Sequence, residues 1–224
     1  GDTIGLRIGP NVRLLGGYDP ATGNRRIDSF ATVLLNSNGT DAVGYILQTF
    51  YDNGLTGGSR TPADTTTYIS GITFRDTIQK ASVADSLFRA VDVYGEPRLH
   101  RCTFTGFSWV DTPVIAHNGS IVTVRPSAAP VFDSCRWLNN FKPYNVPFIM
   151  FRGAVYLDSS SRSVFRHCRF FRTSYGYSTA GAGVYVAESA AATFEGCQFE
   201  HGRAMAGGAV YVASWQADFE GCTF

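Results

Sequence analysis

One short phrase recurs along this chain with a cysteine at its centre, and it constrains the fold more than any other feature. It reads Leu99-His100-Arg101-Cys102-Thr103-Phe104, then Phe132-Asp133-Ser134-Cys135-Arg136-Trp137, then Phe165-Arg166-His167-Cys168-Arg169-Phe170. It returns as Phe194-Glu195-Gly196-Cys197-Gln198-Phe199 and as Phe219-Glu220-Gly221-Cys222-Thr223-Phe224. These copies hold all five cysteines of the 224 residues. An earlier copy, Ser70-Gly71-Ile72-Thr73-Phe74, carries Ile72 in the cysteine place. A second phrase precedes each late copy: Gly153-Ala154-Val155-Tyr156-Leu157, Ala182-Gly183-Val184-Tyr185-Val186 and Gly208-Ala209-Val210-Tyr211-Val212. Val91-Asp92-Val93 and Val122-Thr123-Val124 are weaker copies of it.

The cysteines lie 33, 33, 29 and 25 residues apart, and tyrosine leads cysteine by 12, 12 and 11. A repeat of this length is one supersecondary unit that buries its apolar face only by stacking on its neighbours. Within the phrase the apolar residues alternate: Cys168 and Phe170 point one way, His167 and Arg169 the other. Period two means strand, where a helix needs 3.6. The expected fold is therefore all-β: a right-handed parallel β-helix (β-solenoid) of about 25–33 residues per coil, each strand paired about 4.8 Å from its counterpart one coil on. Residues 1–224 are read as one β-helix fragment of a longer protein, with irregular opening coils over 1–68 and regular coils over 69–224. Strands must keep register while turns can lengthen at small entropic cost. The segments 105–120 and 139–152 are thus expected to protrude as loops, with Trp109, Phe141, Tyr144 and Phe148 as the residues for partner contact.

In-register stacking turns each motif position into a column. Phe104, Trp137, Phe170, Phe199 and Phe224, begun by Phe74, should form an inner aromatic ladder. Cys102, Cys135, Cys168, Cys197 and Cys222 should form a second inward column; Ile72 shows that the position accepts a small-to-medium apolar group. Metal sites favour cysteine pairs at close spacing, and five thiols cannot all pair as disulfides, so free core thiols are expected, with no metal and no cofactor. An outward column runs His100, Asp133, Arg166, Glu195, Glu220, with opposite charges meeting at Asp133–Arg166 and Arg166–Glu195.

Charged residues are 17% of the chain and the net charge is +1, so no basic stripe marks a nucleic-acid binder. No apolar run approaches the ~20 residues that span a bilayer. Glu195 and Glu220 stand at neighbouring ladder positions. They are not read as a catalytic pair, because such neighbours recur on any solenoid and both should face open solvent. No catalytic residue is assigned.

The run Phe199-Glu200-His201-Gly202, followed by Gly207-Gly208-Ala209-Val210, resembles the repeat of polymorphic outer membrane proteins, which joins a Phe-x-x-Asn phrase to a Gly-Gly-Ala-Ile phrase. Gly202 stands where that repeat has Asn, and Trp137-Leu138-Asn139-Asn140 keeps the Asn with Trp for Phe. Asn11-Val12-Arg13-Leu14-Leu15-Gly16-Gly17-Tyr18, Ala31-Thr32-Val33-Leu34-Leu35 and Ile69-Ser70-Gly71-Ile72-Thr73-Phe74 resemble the opening coils of large secreted β-helix proteins of Bacteroidota. The resemblance implies an extracellular or outer-cell-surface passenger, often an adhesin, whose partners are surface glycans, host or neighbour-cell proteins, or other segments of the same long chain or filament. Eight of thirteen aspartates precede Ser or Thr. Asx-type turns account for such pairs. Thr3, Thr65, Thr77 and Ser86 also fit the Bacteroidota O-glycosylation sequon, and Asn38 and Asn118 fit the N-glycosylation triplet. The expected function is a non-catalytic surface scaffold, with a polysaccharide lyase or glycoside hydrolase, or a filament subunit, as the alternatives.

Overall fold

The computed structural model describes residues 4–36, 44–51, 61–76, 88–107, 120–140, 151–173 and 179–224. Three parallel sheets of seven, seven and six strands run the length of the chain. The first stacks Ile4–Arg7, Gly44–Gln48, Phe88–Val93, Val122–Val124, Val155–Leu157, Val184–Val186 and Val210–Val212. The second stacks Arg13–Leu15, Tyr68–Ser70, Arg98–His100, Val131–Asp133, Arg162–Arg166, Ala191–Glu195 and Ala217–Glu220. The third stacks Thr32–Asn36, Ile72–Asp76, Thr103–Thr105, Arg136–Leu138, Arg169–Phe171 and Gln198–Glu200. The chain visits the sheets in that order, so each coil gives one strand to each, and every pairing within them is parallel. This is a parallel β-helix.

The bends between sheets depend on residues in the left-handed region. Between the second and third sheets one such residue recurs per coil: Gly71, Arg101, Ser134, His167, Gly196 and Gly221, at φ of 68°, 50°, 54°, 51°, 60° and 59°. Glycine reaches this conformation at no steric cost, whereas Arg or His does so against strain. Backbone bonds hold the bend. His167 N–H donates to Glu195 O of the next coil at 2.8 Å, and Arg169 N–H donates back to Cys135 O at 2.9 Å. The same pair of bonds recurs at Ser134 and Arg136, and at Gly196 and Gln198, so the ladder crosses the corner unbroken.

Strict register makes the core a set of stacked files. Phe74, Phe104, Trp137, Phe170 and Phe199 stack at successive centroid distances of 5.0, 4.9, 4.5 and 4.9 Å. A second aromatic file from the facing sheet, Phe132, Phe165, Phe194 and Phe219, stacks at 4.9, 4.9 and 4.8 Å. The two files meet edge-on, as at Phe132–Trp137 (5.7 Å, 65°) and Phe194–Phe199 (5.8 Å, 68°). Each enclosed ring contributes about 1.5–3 kcal/mol by burial, and each pair a further ~0.5–1.5 kcal/mol. Val91, Val93, Val122, Val124, Val155, Leu157, Val184 and Val186 close the core from the first sheet, all fully buried. Trp137 fits its file, but its indole N–H is buried without a partner.

Two positions differ from the inward columns expected of them. Phe224 stacks on Phe199 at 5.2 Å yet is 73% exposed, and Cys222 is only half-buried. Both still continue their files, Phe224 stacked on Phe199 and Cys222 donating to Phe194 O at 3.4 Å. The boundaries of the expected loops also move. Thr105 ends a strand, Phe107, Ser120 and Asn140 are buried, and Phe151–Arg152 pairs in parallel with Thr179–Ala180, so the ends of both segments belong to the coil. Trp109, Phe141, Tyr144 and Phe148 lie outside the described residues.

Candidate functional site

The corner between the second and third sheets forms a groove on the outside of the solenoid. Its volume is about 720 Å³, and it extends from Ile27 and Asp28 to Gly196 and Gln198. Two columns line it. The left-handed corner residues Gly71, Arg101, Ser134, His167 and Gly196 form the floor; Thr73, Thr103, Arg136, Arg169 and Gln198, one after the cysteine place, form one wall. The wall faces out because the adjoining inward positions take the core: the cysteine on one side, the aromatic on the other. Gly196 contributes by lacking a side chain, since a Cβ there would sit 2.8 Å from Nδ1 of His167. That ring therefore lies over the floor of the next coil.

Three arginines dominate the electrostatics. Arg101 pairs with exposed Asp28 at 3.4 Å, and Arg169 pairs with Glu200 at 2.8 Å while its guanidinium lies 4.9 Å from the centroid of Phe171. Arg136 has neither an ion pair nor a side-chain hydrogen bond among the described residues, and it stands in direct register with Arg169. Among the described residues Asp28 is the one carboxylate that lines the groove.

The neighbouring outward column is Ser70, His100, Asp133, Arg166, Glu195 and Glu220. Arg166 reaches Glu195 through Nε at 2.8 Å, which raises the arginine above its ordinary value. Asp133 faces Arg166 in register without an ion pair, because its carboxylate accepts from Ser134 Oγ at 2.9 Å. Glu195 and Glu220 are register neighbours, the first engaged by Arg166. Sequence reading passed over Ser70. Its hydroxyl lies 3.2 Å from Nδ1 of His100, and Asp133 follows His100 in register. A Ser–His–Asp order on consecutive strands suggests a nucleophile relay, but the geometry denies it. Ser70 is fully enclosed, and a nucleophile needs access to its substrate. Burial lowers His100 below its ordinary value, opposed by the charge of Asp133.

The cysteine column lies under the groove. All five thiols are free. Each S–H donates to a carbonyl of the preceding coil: Cys102 to Ile69 O at 3.7 Å, and Cys135 to Leu99 O, Cys168 to Phe132 O, Cys197 to Phe165 O and Cys222 to Phe194 O, these four at 3.4 Å. Burial pushes Cys102, Cys135 and Cys168 well above the ordinary thiol value; at Cys197 a hydrogen bond with Cys168 works the other way and lowers it. Thiols held protonated in a dry file are inert. A buried carboxylate, Asp92, is met by Nε and the terminal nitrogen of Arg125 at 2.6 and 3.0 Å, a bidentate pair that satisfies it in place. Among the described residues no three His, Cys, Asp or Glu side chains gather as a metal site.

Of the O-glycosylation positions, Thr65 is exposed in a turn, and Thr3, Thr77 and Ser86 lie outside the described residues. Asp64 beside it accepts from the hydroxyls of Thr66 and Thr67 at 2.6 and 3.3 Å. The Thr66 bond is the largest influence holding its carboxyl below the usual range.

A family model described as a right handed beta helix region matches residues 49–224. No curated protein and no solved structure matches the chain.

Proposed function

The chain belongs to the family of right-handed β-helix regions, and from that membership we propose that it is a non-catalytic binding scaffold of a cell-surface or extracellular protein, part of a large adhesin or surface-binding molecule. One observation carries this reading. The groove is built from equivalent positions of consecutive coils, so its polar groups form a row along the solenoid axis instead of converging on one point. A row suits an extended ligand held by repeated weak contacts, and extended repeat surfaces serve this use. Fold by itself does not set function, so the weight rests on the groove.

The test is retention and turnover in one experiment. Immobilised protein is exposed to a panel of polysaccharides and to whole-cell surfaces, and the supernatants are assayed for new reducing ends and unsaturated sugars. Retention without product is the expected result. Heat-labile product release from any polymer would replace the scaffold with a polysaccharide-cleaving enzyme. Failure to retain any member of the panel or any cell surface would overturn the binding role.

A further inference from the structure

The groove contains a charge arrangement that the fold itself does not need. Arg136 and Arg169 occupy directly opposed positions on adjacent strands, about one strand spacing (~4.8 Å) apart. Like charges directly opposite each other in a sheet are destabilising. Glu200 offsets the charge of Arg169, but nothing among the described residues offsets Arg136, which is exposed and carries no ion pair. Arg101 adds a third guanidinium on the floor beside them, its partner Asp28 being 73% exposed and therefore weakly held. The groove thus holds fixed positive charge on successive coils, with one carboxylate among the described residues of its lining.

The groups between the cations indicate what kind of anion fits. Thr103, Ser134 and Gln198 place hydroxyl and amide groups among the guanidinia. These donate to and accept from hydroxyl-rich chains. Single-stranded nucleic acid needs aromatic platforms for its bases, and among the described residues the lining contains no Phe, Tyr or Trp. Guanidinium forks match carboxylate and sulfate geometry. We propose that this corner groove binds a linear anionic polysaccharide, with Arg136 and Arg169 as the central anion contacts and Arg101 beside them. The proposal rests on the scaffold reading and names the class of its ligand.

The experiment compares four polymers on the intact chain by titration at low and moderate salt: polygalacturonate for carboxylate, dextran sulfate for sulfate, neutral dextran and oligo-dT. Variants Arg136→Glu and Arg162→Glu change net charge equally, but only Arg136 lines the groove; Arg162 is exposed on the second sheet. Both variants are checked for an unchanged melting profile. The expected result is salt-sensitive binding of at least one anionic glycan and none of neutral dextran, weakened about tenfold or more in Arg136→Glu. In Arg162→Glu it stays within about twofold, as for a rim charge outside the contact. Preference for polygalacturonate or for dextran sulfate then identifies the anion. Equal loss in both variants, equal binding of neutral dextran, or oligo-dT binding as tight as either glycan would overturn the proposal. If neither anionic glycan binds while the immobilised chain still retains another polymer or a cell surface, this proposal fails and the scaffold reading stands.

Discussion

A thiol in a dry file acts as a small apolar group with one weak donor. Here each thiol lies within reach of a carbonyl of the preceding coil, and Cys102, Cys135, Cys197 and Cys222 also of the carbonyl two residues back in their own coil, so each cysteine fills space and keeps its weak donor satisfied. The consequence is measurable with a thiol-reactive aromatic disulfide at neutral pH. Half-exposed Cys222 should react first, and Cys102, Cys135 and Cys168 should stay protected until denaturant exposes all five. Fast native labelling of Cys135 would contradict an enclosed column. The inward columns were legible in the sequence because register forces one environment on each motif position, and Ile72 had already shown that environment to be apolar. The second aromatic file was equally legible, since Phe precedes cysteine by three in four of the five copies, yet it was not singled out. The contact of Ser70 with His100 was not legible. Nothing in the spacing says whether a hydroxyl beside a strand end faces solvent or is enclosed by the next coil.

At the scale of the coil, the corners do the positioning. Reading the sequence for bends means looking for glycine, and here Arg101, Ser134 and His167 hold the left-handed conformation instead. Their own N–H groups bond to the next coil, and two positions on from Ser134 and His167 the N–H groups of Arg136 and Arg169 bond to the preceding one, so the corner is fixed from both sides, which is how a strained conformation persists. The groove was hidden for the same reason: a concave corner follows from backbone conformation, which the residue types Arg, Ser and His do not announce. Gly202 is the opposite case. It follows the aromatic of its coil by three, as Phe107, Asn140 and Thr173 do in theirs. Asn140 uses its amide there, donating to Phe104 O at 3.0 Å and accepting from Phe107 N–H at 3.2 Å. At Gly202 a Cβ would lie 2.0 Å from Gly208 O, so the coil has closed on itself and has no room for asparagine. Gly202→Asn is expected to cost about 1–3 kcal/mol through overpacking. Hydrogen exchange should show the loss confined to the last coil, and an unchanged exchange pattern would refute the close contact.

Across the whole molecule, stability is a sum of coils and the contacts between neighbours. Position along the stack should therefore decide the effect of otherwise similar substitutions. Phe165 has Phe132 and Phe194 on its two sides, each at 4.9 Å. Phe165→Ala should cost about 3–5 kcal/mol in urea denaturation. Phe224, 73% exposed with one stacked neighbour, should cost under ~1 kcal/mol on the same change, since partial burial leaves little to lose. Equal effects would mean that the files do not carry the stack.

The order of strands also sets how such a molecule answers tension. Ile4–Arg7 lies at one edge of the first sheet and Ala217–Glu220 at the far edge of the second. A pull between the two ends therefore acts along the solenoid axis, parallel to the hydrogen bonds that join the coils. Bonds loaded lengthwise, one coil at a time, open like a zipper from its ends, whereas bonds loaded across the strands must break together. The 29 residues between Cys168 and Cys197 would extend to about 100 Å once freed. The chain should therefore lengthen under load in a series of small yields, each spending force on one coil while the remainder stays folded.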